Sequence, residues 1–297
     1  MKQRLIGRSE LKVSVIGFGC MSLGKDHSQN QRIIHRAFDL GVNFFDTADL
    51  YDQGFNEESV GRSLKEIRQQ VVLASKVGNQ WRADGSGWDW NPRKSYIKKA
   101  VHQSLRRLQT DYLDLYQLHG GTLDDPTDET IEAFEELKAE GLIRYYGISS
   151  IRPNVIRRWT QASDLQSVMT QYSLLDRRPE EETLEHLANA GVGVIVRGAL
   201  AKGLLVNKAP KAYLGHDEAT IQSLQEQLID MSADQNSATL ALRYAMSKPA
   251  VSTLAVGASS LSQLEENVEA GSLGALSKGE LSVMEKLTPL FFYEKHR

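Results

Sequence analysis

Four residues of this chain carry side chains that together could pass a proton to a carbonyl oxygen: Asp46, Tyr51, Lys76 and His119. Asp46 and Tyr51 share the stretch Asn43-Phe-Phe-Asp-Thr-Ala-Asp-Leu-Tyr51, an apolar run that turns polar where a strand should end. A free tyrosine titrates near pH ~10 and is a poor acid at neutral pH, but a neighbouring ammonium stabilises its phenolate. Lys76 would supply that ammonium, Asp46 would hold it charged and in place, and His119 would hydrogen-bond a carbonyl oxygen beside the phenol. Each residue alone has a structural reading as a loop cap, a half-buried ring, a surface charge or a satisfied histidine. Four complementary ionisable groups from neighbouring strand ends are harder to explain that way.

The elements that must position them alternate along the chain. Strands are expected at Val13 to Gly19, Val42 to Thr47, Val71 to Val77, Tyr112 to His119, Arg144 to Ser149, Val168 to Leu174, Val192 to Val196 and Thr253 to Gly257. Between them the spacing predicts helices over Gln29 to Leu40, Glu57 to Ile67, Pro92 to Leu108 and Asp128 to Glu140, with another starting near Pro153. Further helices are expected near Glu181 to Ala190, Ile221 to Ser232, Ser237 to Met246 and Leu261 to Glu269. Eight strands each followed by helical sequence argue for an α/β fold of the (β/α)8 barrel type rather than an open sheet. Residues 1 to 10, with a turn at Gly7-Arg8-Ser9, would form a short hairpin over the barrel's bottom. No Pro/Gly/Ser-rich linker divides the chain, so residues 1–297 read as a single domain. In such a barrel chemistry sits at the C-terminal mouths of the strands, and all four residues fall on that rim.

Composition limits the partners. The chain is 41% hydrophobic and 25% charged, and its net charge is −3, with no run of Lys and Arg that would mark a nucleic-acid or acidic-membrane partner. Small molecules are the expected partners. One cysteine, Cys20, excludes an intrachain disulfide and a cysteine-rich metal site and fits a cytoplasmic setting. No apolar run approaches the roughly 18 residues of a membrane span. The seven histidines are dispersed, with no His-Glu-x-x-His arrangement, so no metal is expected.

Taken in order, several motifs resemble the aldo-keto reductases: Gly17-Phe-Gly-Cys-Met21, the Asn43 to Tyr51 stretch, Ser75-Lys76, Asp114-Leu-Tyr-Gln-Leu-His119, Gly141-Leu-Ile-Arg-Tyr-Tyr-Gly-Ile-Ser149, Leu200-Ala-Lys-Gly-Leu204, and Gly257-Ala-Ser259 followed by Gln263-Leu-Glu-Glu-Asn267. The resemblance covers nearly the whole chain. It implies a barrel, hydride transfer from NADPH to an aldehyde or ketone with Tyr51 as proton donor, and a catalytic tetrad of Asp46, Tyr51, Lys76 and His119. It further implies that Gly19, Cys20 and Met21 line the cofactor's path, that Ser149 and Ser150 bind its carboxamide, and that the Leu200 to Leu204 loop passes over the pyrophosphate. The remaining cofactor positions it implies are Asp46, Met169, Arg197, Gly198, Lys202, Gly203, Gly257, Ser259, Gln263, Glu266 and Asn267.

The sequence departs from the family pattern at the cofactor positions, not at the tetrad. Ser150 stands where asparagine is common, Met169 where glutamine usually holds the carboxamide, and Arg197 where an aromatic ring often stacks on the nicotinamide. No Arg or Lys appears between Gly257 and Asn267, so NADH is expected to be usable beside NADPH. Trp81, Trp88 and Trp90 lie in a long segment after the third strand and would form an aromatic wall, with the tail Phe291-Phe292-Tyr293 approaching it. A dinucleotide-binding fold of the Rossmann type is disfavoured because Ser22 stands where a third glycine is needed. A barrel glycosidase would need two carboxylates facing across the cleft, whereas Asp46 and Asp49 share one loop. A cofactor-binding regulatory subunit is the alternative of another class.

Overall fold

Apolar runs rich in Val, Ile and Leu make strands that are buried on both faces, and each following helix covers one strand with its apolar stripe. In the computed structural model, which describes residues 1–232 and 236–297, the chain opens with β1 (Gln3–Leu5) and β2 (Lys12–Ser14), an antiparallel pair. The strands β3 (Ile16–Gly19), β4 (Phe44–Asp46) and β5 (Val72–Val77) come next. A second antiparallel hairpin, β6 (Asn79–Trp81) with β7 (Trp88–Trp90), interrupts the series. It resumes with β8 (Leu113–Leu118), β9 (Ile143–Ser149), β10 (Ser167–Gln171), β11 (Gly193–Arg197) and β12 (Val251–Val256). The eight parallel strands β3, β4, β5, β8, β9, β10, β11 and β12 pair in chain order, and β12 returns to β3 to close a barrel. The expected (β/α)8 architecture is therefore the observed one.

Helices α1 (His27–Asp39), α2 (Phe55–Leu64), α3 (Lys94–Leu108), α4 (Thr127–Ala139) and α5 (Pro153–Ala162) surround the first half. The second half carries α6 (Thr183–Asn189), α7 (Glu218–Ser232), α8 (Ser237–Met246), α9 (Leu261–Glu269) and α10 (Lys278–Met284). Local chemistry sets several ends. Asp26 caps α1 by accepting from the Ser28 and Gln29 N–H groups, Pro153 begins α5, and Ser277 with Glu280 forms a capping box on α10. No helix among the described residues is long and apolar enough to cross a membrane.

Two expectations need correction. The single first strand expected over Val13 to Gly19 is two strands, because the continuous apolar run spans the end of one element and the start of another. Its first part, β2, pairs with β1, so the hairpin extends to Ser14 rather than ending near residue 10. That hairpin plugs the barrel: Ile6, Leu11 and Val13 are buried in one cluster with Phe44, Leu115, Met169 and Ile195. The long segment after the third strand that carries Trp81, Trp88 and Trp90, expected as an aromatic wall with no strands of its own, contains the β6–β7 hairpin, whose Trp81 and Trp88 face each other across the strands. Helix α10 was not expected from the spacing at all.

Strand alternation divides the remaining apolar residues. Ala74, Leu115, Met169 and Ile195 point to the barrel axis, whereas Leu73, Val77, Leu118 and Val196 face the helices. Continuing the same alternation upward puts Asp46, Lys76, Gln117, Gln171 and Arg197 on the axial side at the strand mouths, paired laterally as Lys76 with Gln117 and Gln171 with Arg197.

Candidate active site

Lys76 is the centre of the site. It is fully buried, and its ammonium donates to Asp46 Oδ2 at 2.6 Å, to the Thr47 carbonyl at 2.8 Å and to the Tyr51 hydroxyl at 3.2 Å. Those three acceptors use its three protons. Burial works against the charge on Lys76, but Asp46 and Tyr51 outweigh it and hold the ammonium above its ordinary value. Burial also lifts the Asp46 carboxyl, against the pull of Lys76 and of Gln117, which approaches Asp46 Oδ1 at 3.4 Å. A 2.6 Å contact with every ammonium proton accepted is the geometry of a charged pair, and such a contact is about twice as strong as a neutral hydrogen bond.

Tyr51 is delivered by an unusual turn. Asp52 and Gln53 are left-handed at φ 47° and 55°, and Gly54 follows at φ 93°. Gly54 is required twice over, by that backbone angle and because a Cβ there would lie 2.7 Å from Arg107 Cδ. Arg107 of α3 is fixed in turn by Glu57 of α2 at 2.7 Å, and Glu57, which is fully buried, accepts from Ser75 at 2.5 Å. Neighbouring residues of β5 thus face opposite ways: Lys76 enters the mouth while Ser75 ties the strand to the helix beneath Tyr51. Asp49 lies in the same loop with Oδ1 buried and unpaired among the described residues, and burial together with the nearby Glu57 pushes its carboxyl up to about 8. Its protonated form is therefore favoured at neutral pH.

The His119 ring stands edge-on to Tyr51, with centroids 5.9 Å apart. Burial, then Lys76 and Arg197, push its pKa down to about 3, so the imidazole is neutral across the physiological range and carries one N–H. Its Nδ1 is buried without a partner among the described residues. A neutral imidazole beside a phenol can orient a carbonyl oxygen, and the phenol, whose oxygen already accepts from Lys76, can give its own proton to that oxygen. Trp81 of β6 donates its indole N–H to the Leu50 carbonyl at 3.1 Å, which seats the hairpin against the Tyr51 turn. Trp90 instead bonds Asp125 at 2.9 Å, and Trp88 is exposed. Of the tail, Tyr293 is buried beneath the Arg178 guanidinium and Phe291 packs on His216.

The residues expected at the cofactor are distributed around the same rim. Gly19 ends β3 and Gly257 follows the neighbouring β12, and Met21 is exposed. Cys20 is fully buried, and its carbonyl accepts from Asn56 at 2.8 Å. Ser150 accepts from the Arg152 N–H at 3.2 Å, while the Ser149 hydroxyl makes no hydrogen bond among the described residues. Met169 sits one layer below the rim in the barrel core. Gly198, Leu200, Lys202 and Gly203 form the turn after β11, with Lys202 left-handed and exposed. At the start of α9, Ser259 donates to Gln263 Oε1 at 3.0 Å, Asn267 reaches the Gly257 carbonyl at 3.3 Å, and Glu266 is engaged by Asn236 at 3.0 Å.

A model of the aldo/keto reductase family matches residues 15–289. The chain belongs to that family. It is 51% identical to the aldo-keto reductase AKR11C1 from Bacillus halodurans in its holo form, with a TM-score of 0.95 over 100% of this chain and 99% of that one. It is 45% identical over the full length of both chains to the uncharacterized oxidoreductase YqkF of Bacillus subtilis (strain 168). The NADH-specific methylglyoxal reductase of Escherichia coli (strain K12) is 30% identical over 97% of this chain and 98% of its own. Membership makes this reductase an oxidoreductase of small carbonyl compounds that works with a nicotinamide cofactor.

The mouth of this reductase fits such a cofactor. The Ser149 hydroxyl, without a partner among the described residues, is a hydrogen-bonding group beside the tetrad, and Gly257 is exposed next to the half-buried Gly19. Met169, by its depth and its chemistry, has no hydrogen bond to offer a carboxamide. Gln171 holds the rim position on the same strand, but its Nε2 is taken by Asp176 at 2.7 Å and Tyr213 at 3.2 Å, and its Oε1 accepts from Arg197 at 3.0 Å. Gln171, Asp49, Glu57 and Arg107 are the residues that sequence reasoning missed. For Gln171 the signal was present, since counting by twos from a rim residue along β10 reaches it.

Proposed function

We propose that this reductase converts aldehydes or ketones to alcohols with Tyr51 as the proton donor, using NADPH by a modest margin and NADH as a usable second cofactor. The Lys76 ammonium carries the reading, because it meets Asp46, Thr47 and Tyr51 at once. As the phenol gives up its proton, the charge that develops on its oxygen meets a donor already in position, and no reorganisation is needed. The cofactor supplies the hydride, and the chain supplies placement and the proton. His119 stays neutral and offers its N–H to the carbonyl oxygen. Ser149 holds the nicotinamide carboxamide, and the turn from Gly198 to Gly203 covers the pyrophosphate.

Cofactor choice rests on α9. The Leu261 and Ser262 N–H groups meet no acceptor among the described residues, so a 2′-phosphate has backbone donors but no local arginine or lysine from Gly257 to Asn267. The 30% identical relative described as NADH-specific supports the second cofactor. Trp81 and Trp88 beside the Tyr51 turn favour carbonyls with an apolar body. The test is a panel of aromatic and aliphatic aldehydes and ketones incubated with the purified protein and either reduced cofactor. Loss of absorbance at the reduced-nicotinamide band is expected. Tight cofactor binding with no oxidation on any carbonyl would overturn the proposal and favour a non-catalytic cofactor-binding role.

A further inference from the structure

The charges at the strand mouths do not cancel. Lys76 is neutralised by Asp46 at 2.6 Å, and His119 is neutral. Arg197 remains. Its one hydrogen bond goes to a neutral acceptor, Gln171 Oε1 at 3.0 Å, and no carboxylate pairs with it among the described residues. Asp176, which shares Gln171 with it, is held by Arg178 at 2.7 and 2.8 Å. Strand register turns Arg197 to the axial side, between Gln171 of β10 and Ala255 of β12. Its field also reaches His119 on the opposite part of the rim.

Hydride transfer needs reacting atoms about 3–3.5 Å apart, so a ring that serves a carbonyl held by Tyr51 and His119 must lie inside this rim. The two oxidation states of a nicotinamide differ there by one charge: the oxidised ring is a cation and the reduced ring is neutral. We propose that Arg197 is a specificity residue for the oxidation state of the cofactor, weakening the oxidised form relative to the reduced one by charge repulsion across the mouth. This inference rests on the proposed carbonyl reduction. It gives Arg197 a task that a stacked aromatic ring would not perform, since a ring attracts a cation and a guanidinium repels it. Release of spent cofactor is then assisted by the same residue that shapes the mouth.

The test is binding, not turnover. Dissociation constants for NADPH, NADP+, NADH and NAD+ are measured by quenching of tryptophan fluorescence in the wild type, Arg197→Gln and Arg197→Lys. The oxidised-to-reduced ratio of dissociation constants is expected to fall roughly tenfold in Arg197→Gln, between the limits set by water-like and protein-like screening. It should stay near the wild-type value in Arg197→Lys, which keeps the charge and shows that folding and packing are intact. Raising the salt concentration should narrow the wild-type ratio and leave that of Arg197→Gln nearly unchanged. An equal ratio in the wild type and Arg197→Gln overturns the inference while leaving carbonyl reduction standing. Failure of every cofactor form to bind the wild type would instead strike the proposed function itself.

Discussion

At the scale of the residue, the proposed reduction divides three jobs among four side chains. In it Tyr51 gives the proton, Lys76 and Asp46 stabilise what remains, and His119 acts as a neutral donor. Tyr51→Phe should therefore lower kcat/KM for carbonyls by ~10²–10⁴, the usual worth of acid-base catalysis, while the dissociation constant for reduced cofactor stays unchanged. Near-wild-type turnover in that variant would sink the mechanism. The histidine makes a separate prediction. Because burial, Lys76 and Arg197 push His119 down to about 3, kcat should show no limb from this group between pH 5 and 8, and His119→Ala should lower turnover without altering the pH profile. A wild-type limb near pH ~6.5, lost in His119→Ala, would show the ring titrating as an ordinary histidine. These residues were legible in the sequence because strand ends can be located from apolar runs. Asp49 and Arg107 were not, since their importance lies in neighbours supplied by other elements: Glu57 of α2 beside both of them, and the turn at Gly54 above Arg107.

At the scale of the element, helix starts and strand register decide what the rim offers. Helix α9 opens with a Ser260 side chain bonded to the Gln263 N–H at 3.2 Å, which leaves the first two N–H groups of the helix facing outward. Positive charge added there should be read by the 2′-phosphate, because charge-assisted hydrogen bonds are about twice as strong as neutral ones. Ser259→Arg is expected to widen the ratio of NADH to NADPH dissociation constants, measured by the same quenching titration. An unchanged ratio would mean that the phosphate is not bound at this helix start. Most element boundaries could be read from spacing, since apolar periodicity reports burial directly. It failed where burial does not change between elements. Leu11 to Phe18 is almost continuously buried although it crosses from a plugging hairpin into a barrel strand, so nothing in its composition marks the break at Val15. The β6–β7 hairpin failed for the opposite reason: it is largely exposed, held by the Arg82–Asp89 ion pair across it and by Trp81 on the Leu50 carbonyl rather than by a buried face.

At the scale of the whole molecule, the site carries a pH signature in its stability, with groups of opposite sign. His119 has a folded pKa of about 3, below the unfolded value near ~6.5, so its contribution is present above that value and is lost as pH falls toward 3. Glu180, held down to about 2 by Arg177 and by the hydroxyls of Tyr172 and Tyr244 against the opposing effect of burial, acts in the same direction at lower pH. Asp49 acts the other way. Its folded pKa of about 8 lies above the unfolded value near ~3.9, so the folded state holds a proton that the unfolded state has released. That contribution is fully present below pH ~4 and is lost as pH rises through 8, with a slope of at most about 1.4 kcal/mol per pH unit. Asn at this position stays neutral at every pH and should remove the slope. Between pH 5 and 8 the unfolding free energy of Asp49→Asn, from urea titrations, should therefore rise relative to that of the wild type as pH increases. A constant difference between the two proteins over that range would show that Asp49 is already ionised in the fold at pH 5.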